Sequence, residues 1–219
     1  MSKITPVLLL VAAVVFAAAP FVINGAPPEA TMGLVQKIFY FHFPAALLTL
    51  LSAIACGLAS ARVMFGSASS TADAVACAAA ELAIVFGAIV FVTGPLWGRR
   101  AWGVWWQWDA RVTSTFVMWL VFWSYLLLRR FGGAGSEKLS AAVGLFGMAL
   151  APFVYWSVNM WRTIHPPASV VPKLPVDFAI PLWLSVAAFA CFYGALMMTR
   201  VSLGRAEADL NALIVEMED

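Results

Sequence analysis

The side chains best suited to chemistry in this chain are aromatic rings, imidazoles and guanidinium groups, and they cluster. The segment Trp97 to Ser114 reads WGRRAWGVWWQWDARVTS and holds five of the ten tryptophans, Trp97, Trp102, Trp105, Trp106 and Trp108, within twelve residues. Tryptophan at a membrane surface ordinarily forms an interfacial belt. A belt, however, scatters its indoles over many helix ends and does not concentrate them in one loop among glycine and charge. If the segment is helical, Trp102, Trp105, Trp106 and Asp109 follow i, i+3, i+4, i+7 and share one face. That face is a flat apolar platform with a carboxylate at its edge, suited to a large planar aromatic ligand.

The two histidines are His42, in Phe39-Tyr40-Phe41-His42-Phe43-Pro44, and His165, in Trp161-Arg162-Thr163-Ile164-His165-Pro166-Pro167. A single interfacial histidine is usually unremarkable chemistry. Two on the same membrane face as an aromatic platform are a different matter, because imidazole is a good axial ligand for haem iron and two imidazoles close its fifth and sixth positions. Arg99, Arg100, Arg111 and Arg162 lie in the same region. They suit the two propionate carboxylates of a haem, although lipid headgroups would also attract them. Asp109 beside Arg111 is either an internal ion pair that fixes the loop or a group that orients a ligand from behind.

Glu81 stands apart. It sits about 12 Å along an apolar run at 1.5 Å per residue, and an acid at such depth implies function or a partner. No base within the apolar runs pairs with it obviously, so contact with another subunit and a protonated carboxyl are both open. Cys56, Cys77 and Cys191 lie inside apolar runs, without CxxC or CxxCH spacing, and read as small packing residues.

These residues must be positioned by membrane helices. Hydrophobic residues are 63% of the 219 and charged ones 11%, with a mean hydropathy of +0.91. A water-exposed domain of this size needs far more charge. The net charge of +2 and the absence of a basic stripe give no reason to expect a nucleic-acid partner. Apolar runs and breakers predict an all-α polytopic membrane protein of one domain, 1–219, with about six spans. They fall at 7–25, 40–61, 73–96, 112–128, 139–158 and 178–199, with the tryptophan-rich loop at 97–111. The first run resembles a secretory signal but reaches spanning length, and it is read as a retained helix. The acidic tail from Arg205 to Asp219 is expected to form a short surface helix.

An even span count places both termini on one side and His42, the tryptophan loop and His165 together on the other. Lysine and arginine divide seven against six and decide no orientation. Four of the six on the loop side flank the tryptophans or His165, which suggests a ligand rather than topology, so the terminus side is read as cytoplasmic.

The run Trp102-Gly103-Val104-Trp105-Trp106-Gln107-Trp108-Asp109-Ala110-Arg111-Val112-Thr113-Ser114 closely resembles the WWD signature of haem-handling membrane proteins. With the FxHxP stretch at His42 and SVxxWxTxHPP around His165, the whole chain resembles the CcmC family, haem exporter protein C of bacterial cytochrome c maturation. The resemblance implies a bacterial inner-membrane protein whose WWD loop faces the periplasm and binds haem b, with His42 and His165 as axial ligands. It implies partners as well: the ABC-transporter subunits CcmA and CcmB, the small membrane protein CcmD and the haem chaperone CcmE, to which haem is presented with a vinyl edge exposed. It implies no enzyme, and the chain lacks the GxxxxGK[ST] of a nucleotide hydrolase. Two other functions compete with it: a bis-histidine b-type cytochrome subunit for electron transfer, and a transporter permease for another flat or amphipathic solute.

Overall fold

Long alanine- and leucine-rich runs bounded by glycine, proline and charge leave the backbone no partner in lipid except its own helix. The computed structural model, which describes residues 3–66, 69–133 and 135–218, accordingly consists of six long helices. They are α1 (Ile4–Gly25), α2 (Phe39–Phe65), α3 (Ser70–Ala101), α4 (Ala110–Phe131), α5 (Ser136–Met160) and α6 (Val176–Glu218). All six are long and apolar enough to cross a membrane. Short 3-10 turns at Leu34–Ile38 and Ala168–Lys173 lead into α2 and α6.

The helices reach further than hydropathy alone predicts. Helix α3 continues through Trp97, Arg99 and Arg100 to Ala101, so the irregular part of the tryptophan segment is only 102–109. Helix α6 does not stop near 199; the tail expected to be a separate surface helix is its continuation to Glu218. Charge ends the hydropathy signal, but it does not end a helix whose backbone bonds and good helix formers continue.

Helix α2 packs chiefly on α3 and α5, α4 packs on α5 and α3, and α1 lies against α6, which in turn covers α3 and α2. Thus α2 to α5 form a ring in which α2 and α4 stand diagonally opposite. The terminus-side half of the ring is filled. Met118, Phe122 and Tyr125 of α4 meet Ala76, Ala79, Ala80 and Ala83 of α3, with Cys56 and Ala151 closing the cluster. Small residues allow this approach, as is usual between helices in lipid. A β-carbon on Gly147 would lie 2.7 Å from Phe122 Cζ, and one on Gly87 would lie 2.4 Å from Trp119 Cδ1. The opposite half of the ring remains open as a cavity.

Glu81 finds its partner within the chain. Arg200 on α6 donates through Nε and Nη2 to both carboxylate oxygens, so neither another subunit nor a protonated acid is needed. The arginine lies one residue past the predicted sixth span, and only the packing of α6 on α3 brings it level with the acid. Nearer the terminus side, Arg129 bridges Asp73 on α3 and Glu137 on α5.

Candidate haem-binding cleft

The open end of the ring contains a cavity that communicates with solvent, lined by His42, Trp97, Trp102, Trp105, Trp106, Arg111 and His165 among others. Small-molecule and cofactor sites combine apolar walls with a few polar groups, as this one does. Both histidines therefore belong to one site, although one comes from the first turn of α2 and the other from the loop after α5.

The tryptophans reach the cavity by a route other than a helical face. Helix α3 ends where Trp102 N donates to Gly98 O, and Gly103 follows at φ 78°, a left-handed conformation that glycine adopts without steric cost. Helix α4 starts at its N-cap Asp109, with extended backbone. Between them the chain cannot be helical, so the shared face expected of Trp102, Trp105, Trp106 and Asp109 does not form. Trp97 instead packs beneath His42, ring centroids 5.8 Å apart, and against Trp102 at 6.0 Å. Trp106 forms a second wall, braced by Phe91 and Phe116 at 6.0 Å each. Trp105 lies on the rim, 59% exposed, with Arg99 over its ring.

Other predicted residues lie outside the lining. Trp108 is 68% exposed and packs edge-on against Trp106. Arg99 donates to Gly103 O across the turn at 2.5 Å. Arg100 and Arg162 are exposed.

Asp109 stands behind the lining with a definite task. Its Oδ1 accepts from Val112 N at 2.8 Å, satisfying the first turn of α4. Its Oδ2 accepts from the Thr163 hydroxyl and from Ile164 N, and Thr163 Oγ1 in turn accepts from His165 N at 3.0 Å. The carboxylate thus ties the loop that carries His165 to the tryptophan loop. Arg111 reaches across to Tyr155 O on α5 at 3.2 Å. Of the two roles open for Asp109, the geometry supports orientation from behind.

Hydrogen bonds also hold the Nδ1 side of both imidazoles. Thr93 donates its single hydroxyl proton to Ile89 O at 2.7 Å, so toward His42 Nδ1, 2.8 Å away, it can only accept. His165 Nδ1 lies 3.0 Å from Pro166 O, an obligate acceptor. A proton on Nδ1 is required of His165 by Pro166 O and accommodated in His42 by Thr93, and in that tautomer each ring offers its Nε2 lone pair to a metal. Removal from water lowers the His165 pKa first; the Pro166 hydrogen bond raises it, Arg111 lowers it and Asp109 raises it, with a net shift below 6.5. Its neutral form is favoured. Thr93 was not anticipated from sequence, where a threonine three residues from a span end carries no signal. Gly94 was also missed: a β-carbon there would stand 3.4 Å from His42 Cε1, against the edge of the ring.

The lining suits an anionic, flat, metal-bearing ligand on a direct test. Two of its buried donors, Trp106 Nε1 and Arg111 Nε, lack any partner among the described residues, and a buried donor without an acceptor is costly. No group of three or more His, Cys, Asp or Glu side chains that could hold a bare metal ion occurs among the described residues.

Comparison with known proteins agrees with this chemistry. The family model described as heme exporter protein C matches residues 1–215. A heme exporter protein C of Bradyrhizobium diazoefficiens is 33% identical over 174 residues, 77% of this chain and 66% of the relative, so the match spans just under two thirds of that protein's length. Its counterpart in Paracoccus denitrificans is 27% identical over 86% of this chain and 80% of the relative. That of Escherichia coli K12 is 29% identical over 80% of this chain and 73% of the relative. With six spanning helices and a family match over nearly its full length, the chain belongs to the CcmC family of heme exporter protein C.

Proposed function

We propose that this chain holds haem b in the cleft, ligated by His42 and His165, and presents it for transfer during cytochrome c maturation. The observation that carries this reading is the arrival of both imidazoles, each held through Nδ1, at one cavity with unpaired cationic and indole donors. Haem is the cargo; its iron takes the two imidazoles and its faces are apolar. The residues of the chain divide the work. Trp97, Trp102 and Trp106 exclude water from the ring faces, and Arg111 and the Trp106 indole donate to carboxylates. Asp109 and Thr163 hold His165 in place, and Thr93 holds His42. Arg99, Arg100 and Arg162 at the opening attract the anionic ligand or its acceptor.

An exposed rim at Trp105 and Trp108 leaves room for a protein acceptor above the cargo. On this reading the cleft faces the periplasm of a bacterial inner membrane and the termini are cytoplasmic. The acceptor is the chaperone CcmE, and CcmA, CcmB and CcmD complete the assembly. The role is handling and delivery, not catalysis. A b-type cytochrome would serve as well with haem sealed among its helices, whereas this cleft opens to solvent.

The test is absorbance of the purified protein. The wild type is expected to carry a Soret band of six-coordinate haem. His42→Ala and His165→Ala should each lose most of the haem, and added imidazole should restore part of it by occupying the vacated iron position. Undiminished haem in the double variant would overturn the ligand assignment. A folded wild type without a Soret band would favour a permease for another solute.

A further inference from the structure

Helix α6 leaves the bundle before it ends. A β-carbon on Gly204 would lie 3.2 Å from Ala74 Cβ near the start of α3, and beyond it nearly every residue from Arg205 to Met217 is exposed. Fourteen residues at 1.5 Å each project about 21 Å past Gly204, beyond the Asp73–Arg129 ion pair on the terminus side.

This projection is not uniformly polar. Leu203, Ala206, Leu210, Leu213 and Met217 repeat at seven-residue spacing with an intervening step of three, the apolar a and d positions of a heptad pattern. Among the described residues nothing covers them: Leu210 and Leu213 are 57% exposed and Met217 is 86% exposed. The positions beside the stripe, which choose the partner in paired helices, carry Glu207, Asp209, Ile214 and Glu216. Every charge there is negative.

That sign discriminates among the occupants. A second copy would place carboxylate against carboxylate. An anionic bilayer surface takes helices whose polar face is Lys- or Arg-rich, the opposite of this one. We infer that the C-terminal extension of α6 docks a helix of a partner protein on the terminus side of the membrane, one with an apolar heptad stripe flanked by lysine or arginine. Two heptads are too short to be stable as an isolated helix, but α6 is rooted in the bundle, so its half of the pair is already ordered.

The test uses the full chain in phosphatidylcholine nanodiscs and, as probe, a labelled synthetic peptide of about three heptads with Leu at a and d and Lys at e and g. Saturable binding is expected, absent for a scrambled peptide of the same composition, for empty nanodiscs and for Leu210→Glu/Leu213→Glu. The triple variant Glu207→Lys/Asp209→Lys/Glu216→Lys should bind this peptide about tenfold more weakly, as three ion pairs of ordinary strength multiply, and should now take the Glu-flanked version. Binding that ignores the charge swap, equals that of the scrambled peptide or fails to appear would overturn the inference.

In cells, a photo-crosslinker at position 213 should give a product with another protein, through a segment flanked by lysine or arginine, that disappears in the triple variant. A product with its own chain, with lipid alone or with nothing would equally overturn it. Both variants lie beyond the packed bundle, so the thermal midpoint should not move.

Discussion

Replacing Asp109 by Asn separates two jobs that the carboxylate performs. The amide oxygen can keep the cap on Val112 N, so α4 should start as before. The amide nitrogen cannot accept. Thr163 can turn its hydroxyl to receive from it, but Ile164 N, 3.2 Å from Oδ2, loses its acceptor. A buried donor left unpaired costs about 1–3 kcal/mol; Ile164 N is part-buried, which makes that range an upper bound, and the cost falls on the docked position of the His165 loop. If that entire cost shifts the loop toward an undocked state, the apparent haem affinity falls by about 5- to 150-fold, since each 1.4 kcal/mol is tenfold. The lower end is expected, because Thr163 still holds His165 N. The assay is haem titration of purified apoprotein, read at the Soret band, for wild type, Asp109→Asn, His165→Ala and the double variant. The double variant should bind no worse than His165→Ala alone, because the strap acts only through the histidine it positions. Equal affinity of wild type and Asp109→Asn, or full additivity in the double variant, would refute the reasoning.

Thr93→Val keeps the volume but removes the acceptor of His42 Nδ1–H; haem affinity should fall about tenfold, for one buried hydrogen bond lost, and Thr93→Ser should restore it. Because the His165 pKa is lowered from 6.5, chiefly by burial, the folded chain resists protonating this ring where the unfolded chain accepts the proton. Apoprotein stability should therefore decline as pH falls through 6.5, while the His165-dependent part of haem retention should persist through that pH. In a pH series of Soret absorbance, a midpoint at or above 6.5 would contradict this. The Glu81–Arg200 pair is part-exposed, with side chains 30% and 42% accessible, so Arg200→Ala should cost about 1–3 kcal/mol, less than the 3–5 of a fully buried pair. Replacing both residues by Met should recover most of that loss in the thermal midpoint.

Composition and periodicity determined what needed no long-range contact. Lipid forces each apolar run to satisfy its own backbone, so the number of spans and the common side of His42, Trp102 and His165 follow from counting helices. Side-chain type announced the ligand chemistry, since indoles, imidazoles and guanidinium groups suit a porphyrin wherever they meet. The tertiary structure decided how they meet. Gly103 and the Asp109 cap break the tryptophan segment that periodicity drew as one helix, and the lining comes from two walls instead of one face. The tie from Asp109 to Thr163, the acceptor Thr93 offers His42 and the pairing of Glu81 with Arg200 all join residues at least 51 positions apart in sequence. No local propensity encodes such pairs. They exist because packing α3 against α2 and α6, and the tryptophan loop against the loop after α5, leaves each polar group one partner within reach.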